Sequence, residues 1–231
     1  MFIDELLNSG MMKILEEYNI IPNNEKLYEM AFLHRSYGVK RNINYDYERL
    51  EFLGDSVLSL LVSEYLYNKY ENIEEGKLTK LRSNYVCETA LANYSHELGF
   101  TKLIKVNLDD KISINEIFSI SADVFESFLG AIYLDQGLEK TREFLSKIVF
   151  QAIDKEIIFF NDYKSQIKEY GDANEVSVHY QIVNEYGAPH DKTFIMSIHL
   201  NGKELGRGKA KNKKEAEQLA AQEAINKLRI N

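Results

Sequence analysis

The chain has 231 residues, 45% hydrophobic, 28% charged and 12% aromatic, with two prolines, one cysteine and no tryptophan. Its length suits one large domain or two ordinary ones, and its apolar fraction excludes a disordered protein. The lone Cys87 excludes a disulfide framework. No apolar run approaches the roughly 18 residues of a membrane span. The start, MFIDELLNSG, lacks the basic and apolar stretches of a secretory signal. The expectation is a soluble, cytoplasmic protein with no membrane partner.

The net charge of −8 argues against a nucleic-acid partner until it is divided along the chain. Residues 1–161 carry 17 basic and 26 acidic side chains, and residues 162–231 carry 11 and 10. Within the second part, 203–214 has six basic residues and one acidic. A basic patch joined to an acidic body fits a polyanion binder.

Taken in chain order, the first 160 residues predict helices. Apolar positions recur at helical spacing in 27–37, 48–70, 78–99 and 117–134, and a further helix runs from about 138 to 158. Pro22 with Asn23–Asn24 predicts a break, and 71–76 and 106–116 predict loops. Cys87 falls inside the 78–99 helix as a small apolar residue. A short helix at 163–170, ended by Gly171, precedes a change of period. Residues 176–182 and 194–200 alternate as strands do. Asn201–Gly202 predicts a tight hairpin into a returning strand at 203–209. Asn212 caps a last helix whose stripe is Ala216, Leu219, Ala220, Ala224 and Leu228. The fold class is an all-α N-terminal domain, 1–158, followed by a small α+β domain of α-β-β-β-α order, 162–231.

Two apolar helices carry acids that lack a local cation. Glu48, Glu51 and Asp55 share one helical face at i, i+3 and i+7, with no Lys or Arg from Leu50 to Asn68. Asp123 and Glu126 repeat the situation, with none from Ile112 to Glu139. Unpartnered buried carboxylates are costly, and a hard divalent ion such as Mg²⁺ is one natural partner. The alternatives are solvated acidic faces, or pairing with Arg49, Lys80 or Arg82 on folding. Lys213 and Lys214 follow the cap Asn212, where cations oppose the helix dipole but suit phosphate; a solvated lysine run is the alternative.

ERLEFLGDSVL (48–58) resembles the signature of the ribonuclease III family. AFLHRSYG (31–38), EEGKLTKLRSNYV (74–86) and SADVFESFLGAIYLDQG (121–137) resemble its other blocks, with Leu33 where the family usually has Thr. GRGKAKNKKEAEQLAAQEA (206–224) resembles a double-stranded RNA-binding domain. The resemblance implies a homodimeric endoribonuclease that cuts double-stranded RNA with Mg²⁺, or Mn²⁺ in its place, by in-line attack of an activated water. The products would carry 5′-phosphate and 3′-hydroxyl ends with a short 3′ overhang. It also implies roles in ribosomal RNA precursor and messenger RNA processing, and no small-molecule substrate. Glu51, Asp55, Asp123 and Glu126 become metal-binding catalytic acids, and Glu48 and Glu75 accessory ones. Phe52 packs across the dimer interface by resemblance, or is plain core. His34 is a hydrogen-bonded core residue rather than a ligand. Ser165, Glu169, His190, Asn212, Lys213 and Lys214 become RNA contacts; Glu217 replaces a third basic residue and Lys168 a glutamine. His179 and His199 are structural. The runner-up is a module that binds double-stranded RNA without cutting it, and a third reading is an acidic helical assembly domain.

Overall fold

The computed structural model describes residues 2–107, 113–159, 162–188 and 192–229. The chain divides into two compact units, 1–160 and 161–231.

The first unit is helical: α1 (Phe2–Glu17), α2 (Glu25–Ala31), α3 (Arg35–Arg41), α4 (Glu48–Lys69), α5 (Glu75–Val86), α6 (Glu88–Glu97), α7 (Ile114–Ser146) and α8 (Val149–Asp154), with a 3₁₀ turn at Phe100–Lys102. The break after Pro22 is closed by Asp135 of α7. Its carboxylate accepts the backbone N–H groups of Asn23 at 3.0 Å and Asn24 at 2.9 Å, and the Tyr28 hydroxyl at 2.9 Å. Orphan amides at the start of α2 are thereby satisfied from across the fold. α7 begins on a reciprocal capping box between Ser113 and Glu116 and kinks at Gly137, where φ is 80°. Apart from Asp123 and Glu126, its middle is apolar because it forms the core. Phe125, Phe128, Leu129 and Ile132 are fully buried against Tyr28, Phe32, Leu58 and Phe100. By length and composition alone Ile114–Asp154 would pass for a membrane span, contrary to the sequence expectation. Burial of 61% of its most apolar window explains the run as a core helix.

Several predicted boundaries shift. The 27–37 segment is two helices, because Leu33 leaves the helix to bridge Lys105 and His34 caps α3 by accepting the Ser36 N–H. The 78–99 segment also divides, with Cys87 extended between α5 and α6. The 71–76 loop is shorter than expected, since α5 begins at Glu75. Of the 106–116 loop, residues 108–112 lie outside the described residues, and α7 already begins at Ile114.

The second unit is α9 (Tyr163–Ala173), β1 (Val178–Tyr186), β2 (Thr193–Leu200), β3 (Lys203–Ala210) and α10 (Lys213–Leu228). The sheet is antiparallel in the order β1-β2-β3. Asn201 and Gly202 both take positive φ, 47° and 79°, as a two-residue hairpin turn requires. Ala220, Ala221 and Ala224 bury α10 against Ile198, Leu200 and Ile167, and Ala216 is buried as well. α9 does not stop at Gly171. That residue is buried inside the helix, where a Cβ would stand 2.7 Å from the Val176 carbonyl oxygen. β1 runs on to Tyr186 through an irregularity between Ile182 and Asn184. Its last six residues are exposed on both faces, as an edge strand permits, so the alternation fades there.

Candidate active site and RNA-binding face

The acids of the first unit gather where α4 and α7 cross. A Cβ added at Gly54 would lie 1.8 Å from the carbonyl oxygen of Glu126, and one at Gly130 would lie 2.3 Å from that of Leu50. Only glycine permits backbones this close. The turn of α4 bearing Glu51 and Asp55 is thereby pressed onto the turn of α7 bearing Asp123 and Glu126. Sequence reasoning missed both glycines; their signal is a lone Gly within each otherwise bulky run, EFLGDS and SFLGAI.

The electrostatics follow from that crossing. Burial is the first cause that pushes Glu51 up to about 7, and Asp123, Glu48, Asp55 and Asp46 add to it. Burial also pushes Glu126 up to about 8, aided by Asp55, Glu51 and Asp123. Asp123 is raised by burial too, against which the hydrogen bond from the Tyr47 hydroxyl acts. The Tyr47 hydroxyl donates to Asp123 Oδ2 at 2.9 Å. Asp55 is itself exposed rather than buried, yet its charge reaches both glutamates.

Among the described residues none of these four acids forms a salt bridge. Arg35 lies 3.8 Å from Glu48, and Arg82 donates to Ser63 Oγ at 3.1 Å instead. The donors are all carboxylate oxygens, which suits a hard divalent ion. As they stand, no group of three or more His, Cys, Asp or Glu among the described residues is drawn together enough to hold one. The raised pKa values of three of these acids mark a site short of positive charge. By charge and donor type the residues fit a hard cation.

Glu75 opens α5 and accepts from Thr79 at 3.0 Å within its own helix. Phe52 is not core: it is 79% exposed on α4. Beside it lies a cleft of about 1180 Å³ walled by Met30, Val39, Ile43, Tyr45, Leu53 and Leu134. His34 is half-buried and caps α3.

In the second unit Asn212 caps α10, its side-chain oxygen accepting the Glu215 N–H at 2.8 Å. Lys213 and Lys214 stand exposed in the first turn, with Lys213 Nζ 5.5 Å from the Phe194 ring centre. Ser165 is half-buried and bonds Asp162, the α9 cap, while Glu169 and Lys168 are exposed. Glu217 pairs with Lys164, joining α10 to α9. His199 bonds Ser197 Oγ at 3.0 Å. His190 lies outside the described residues.

Comparison with known proteins matches these two units one for one. A ribonuclease-III-like family model covers residues 24–153, and a double-stranded RNA binding motif covers 163–228. Together they define the class: an endoribonuclease joined to a double-stranded RNA-binding domain. The Ribonuclease 3 of Anoxybacillus flavithermus is 44% identical over 220 residues, spanning 93% of this chain and 92% of its own. That of a Geobacillus species is 41% identical over 232 residues, 98% of this chain and 94% of its own. Among solved structures, the nuclease domain of ribonuclease III from Campylobacter jejuni is 31% identical with a TM-score of 0.55, covering 60% of this chain and 95% of that one. The chain belongs to the ribonuclease III family.

Proposed function

We propose that this endoribonuclease cuts double-stranded RNA with Mg²⁺, for which Mn²⁺ can substitute, leaving 5′-phosphate and 3′-hydroxyl ends with short 3′ overhangs. Its domains are then a nuclease domain over 1–158 and an RNA-binding domain over 162–231. The observation that carries the reading is the uncompensated carboxylate set at the Gly54–Gly130 crossing. Glu51, Asp55, Asp123 and Glu126 would hold the ion, with Glu48 and Glu75 as accessory acids. When bound, such an ion lowers the pKa of an attacking water and neutralises charge growing on the phosphate. Glu126 and Glu51, raised in the ion-free fold, would release their protons on binding the ion, which makes that binding depend on pH. Tyr47 holds Asp123 by one oxygen.

Substrate capture falls to the second unit. Lys213 and Lys214 present exposed positive charge beside the cap Asn212 at a helix N-terminus, which suits backbone phosphate. Ser165 and Glu169 on α9, with His190, would meet 2′-hydroxyls in the minor groove. Phe52 and the cleft beside it, which Arg35, Asp46, Glu48 and Arg49 line together with apolar residues, would form the surface of a homodimer. The Campylobacter jejuni nuclease domain has a region described as involved in dimer formation. In the cell the reading places the enzyme in the cytoplasm, processing ribosomal RNA precursors and structured messages.

The test incubates the protein with a long end-labelled RNA duplex, with and without Mg²⁺, beside Glu126→Gln. Cutting that needs the ion, spares single strands and vanishes in the variant is the expected result. Duplex binding without cutting under any divalent ion would replace the reading with a regulatory binder.

A further inference from the structure

The AFLHRSYG block has no part in the chemistry assigned so far, yet it is built into the wall of the acid site. Tyr47 is 4% exposed. Its backbone N–H donates to the Leu33 carbonyl at 3.0 Å, and its ring lies 5.8 Å from that of His34. That turn is itself braced. Ser36 N–H donates to His34 Nδ1 at 3.2 Å, and Asn107 N–H to Ser36 Oγ at 3.2 Å. His34 N–H donates to the Lys105 carbonyl at 3.0 Å, and Lys105 N–H to that of Phe32 at 2.8 Å. The tyrosine is therefore held at its backbone and along its ring, and the hydroxyl at its far end is aimed at one acid.

We infer that Tyr47, backed by the His34–Ser36 turn, is the positioning residue for Asp123, fixing its carboxylate in the orientation in which it holds the metal. The inference rests on the reading of Asp123 as a metal ligand. A phenyl ring would fill the same space, so packing does not require the oxygen. A buried phenol needs a partner, and here the partner is a site acid. Among the described residues Glu51, Asp55 and Glu126 receive no such side-chain donor. One acid of the four is thus pinned, while the others keep the rotation needed to close on an ion. Groups that orient a metal's ligands govern its affinity by about 10–100-fold when removed.

The test uses the full chain, Mn²⁺ alone as probe, and calorimetry without RNA, comparing wild type, Tyr47→Phe, Asp123→Asn and the double variant. Tyr47→Phe is expected to weaken Mn²⁺ binding about 10–100-fold. The Mg²⁺ concentration for half-maximal cleavage should rise in step. Its melting temperature in EDTA should fall by only a few degrees, as loss of one hydrogen bond does, and its duplex binding without divalent ions should match wild type. The double variant should be no worse than Asp123→Asn. Unchanged Mn²⁺ affinity in Tyr47→Phe, beside a loss in Asp123→Asn, overturns the positioning role and spares the site. No loss in Asp123→Asn overturns the site assignment itself. A double variant worse than Asp123→Asn, in Mn²⁺ affinity or in folding, overturns the proposal, because the tyrosine then acts other than through Asp123.

Discussion

Replacing Glu126 by Gln should destroy cleavage and, in the absence of metal, make the helical unit more stable. The carboxyl binds its proton more tightly in the fold, at about 8, than at its ordinary value of 4.5. The fold is therefore favoured by the proton. That contribution is fully present below pH 4.5 and is lost as pH rises through about 8, where an unpaired charge must be held among three others. A shift of that size converts, at about 1.4 kcal/mol per unit, to at most about 5 kcal/mol. Solvent that reaches these half-buried acids screens it, leaving ~1–3 kcal/mol. Glutamine keeps the shape and carries no charge at any pH. The assay is thermal or urea unfolding of both proteins in EDTA at pH 5 and pH 8. The variant should melt several degrees higher at pH 8, since about 1 kcal/mol is worth roughly 2–4 °C in a domain of this size. The difference should shrink towards pH 5. Added Mg²⁺ should narrow it at pH 8 by stabilising the wild type through binding. A variant no more stable than wild type at pH 8, or an advantage that does not shrink at low pH, would refute the electrostatic account.

Gly54→Ala should destabilise the helical unit by ~2 kcal/mol or more, because overpacking at the α4–α7 crossing outweighs the roughly 1 kcal/mol that alanine gains in a helix; a melt like wild type would contradict it. Asn212→Ala removes the cap of α10 and should cost about 1 kcal/mol in unfolding of the second unit. Lys213→Glu with Lys214→Glu should weaken duplex binding and flatten its dependence on salt, measured by titration at several ionic strengths; an unchanged slope would remove these lysines from the phosphate contacts.

The parts of the molecule legible in the sequence are those fixed by local rules. The Asn201–Gly202 turn, the Asn212 cap and the Ala216, Ala220 and Ala224 positions of the α10 stripe each depend on neighbours in the chain and stand where their residues predict, whereas Leu219, expected in that stripe, is exposed. The acids were legible as a problem, namely charges in apolar helices with no cation nearby. Helix boundaries at 32–34 and at Cys87 were not, because no glycine or proline marks them and the apolar period runs straight through. They are set by partners distant in sequence, such as the Leu33 bridge to Lys105. Phe52 could not be told from core, since a phenylalanine in an apolar helix has the same pattern whether its face is covered by this chain or left open. Tyr47 carried no signal, because its role is a hydrogen bond across 76 residues.

The glycines and the acids of α4 and α7 make sense only together. Carboxylates that raise one another's pKa push their helices apart, and a loosely packed pair would relieve the strain by separating. Here separation is opposed by apolar burial: Leu58, Leu61, Val124, Phe125, Phe128 and Leu129 are all fully buried along the same two helices. Gly54 falls between Glu51 and Asp55, and Gly130 one turn beyond Glu126, so the closest backbone approach coincides with the greatest density of like charge. A stability-driven sequence would place neither there. The coincidence is what a cation site needs: a rigid crossing that tolerates the repulsion until a positive ion relieves it.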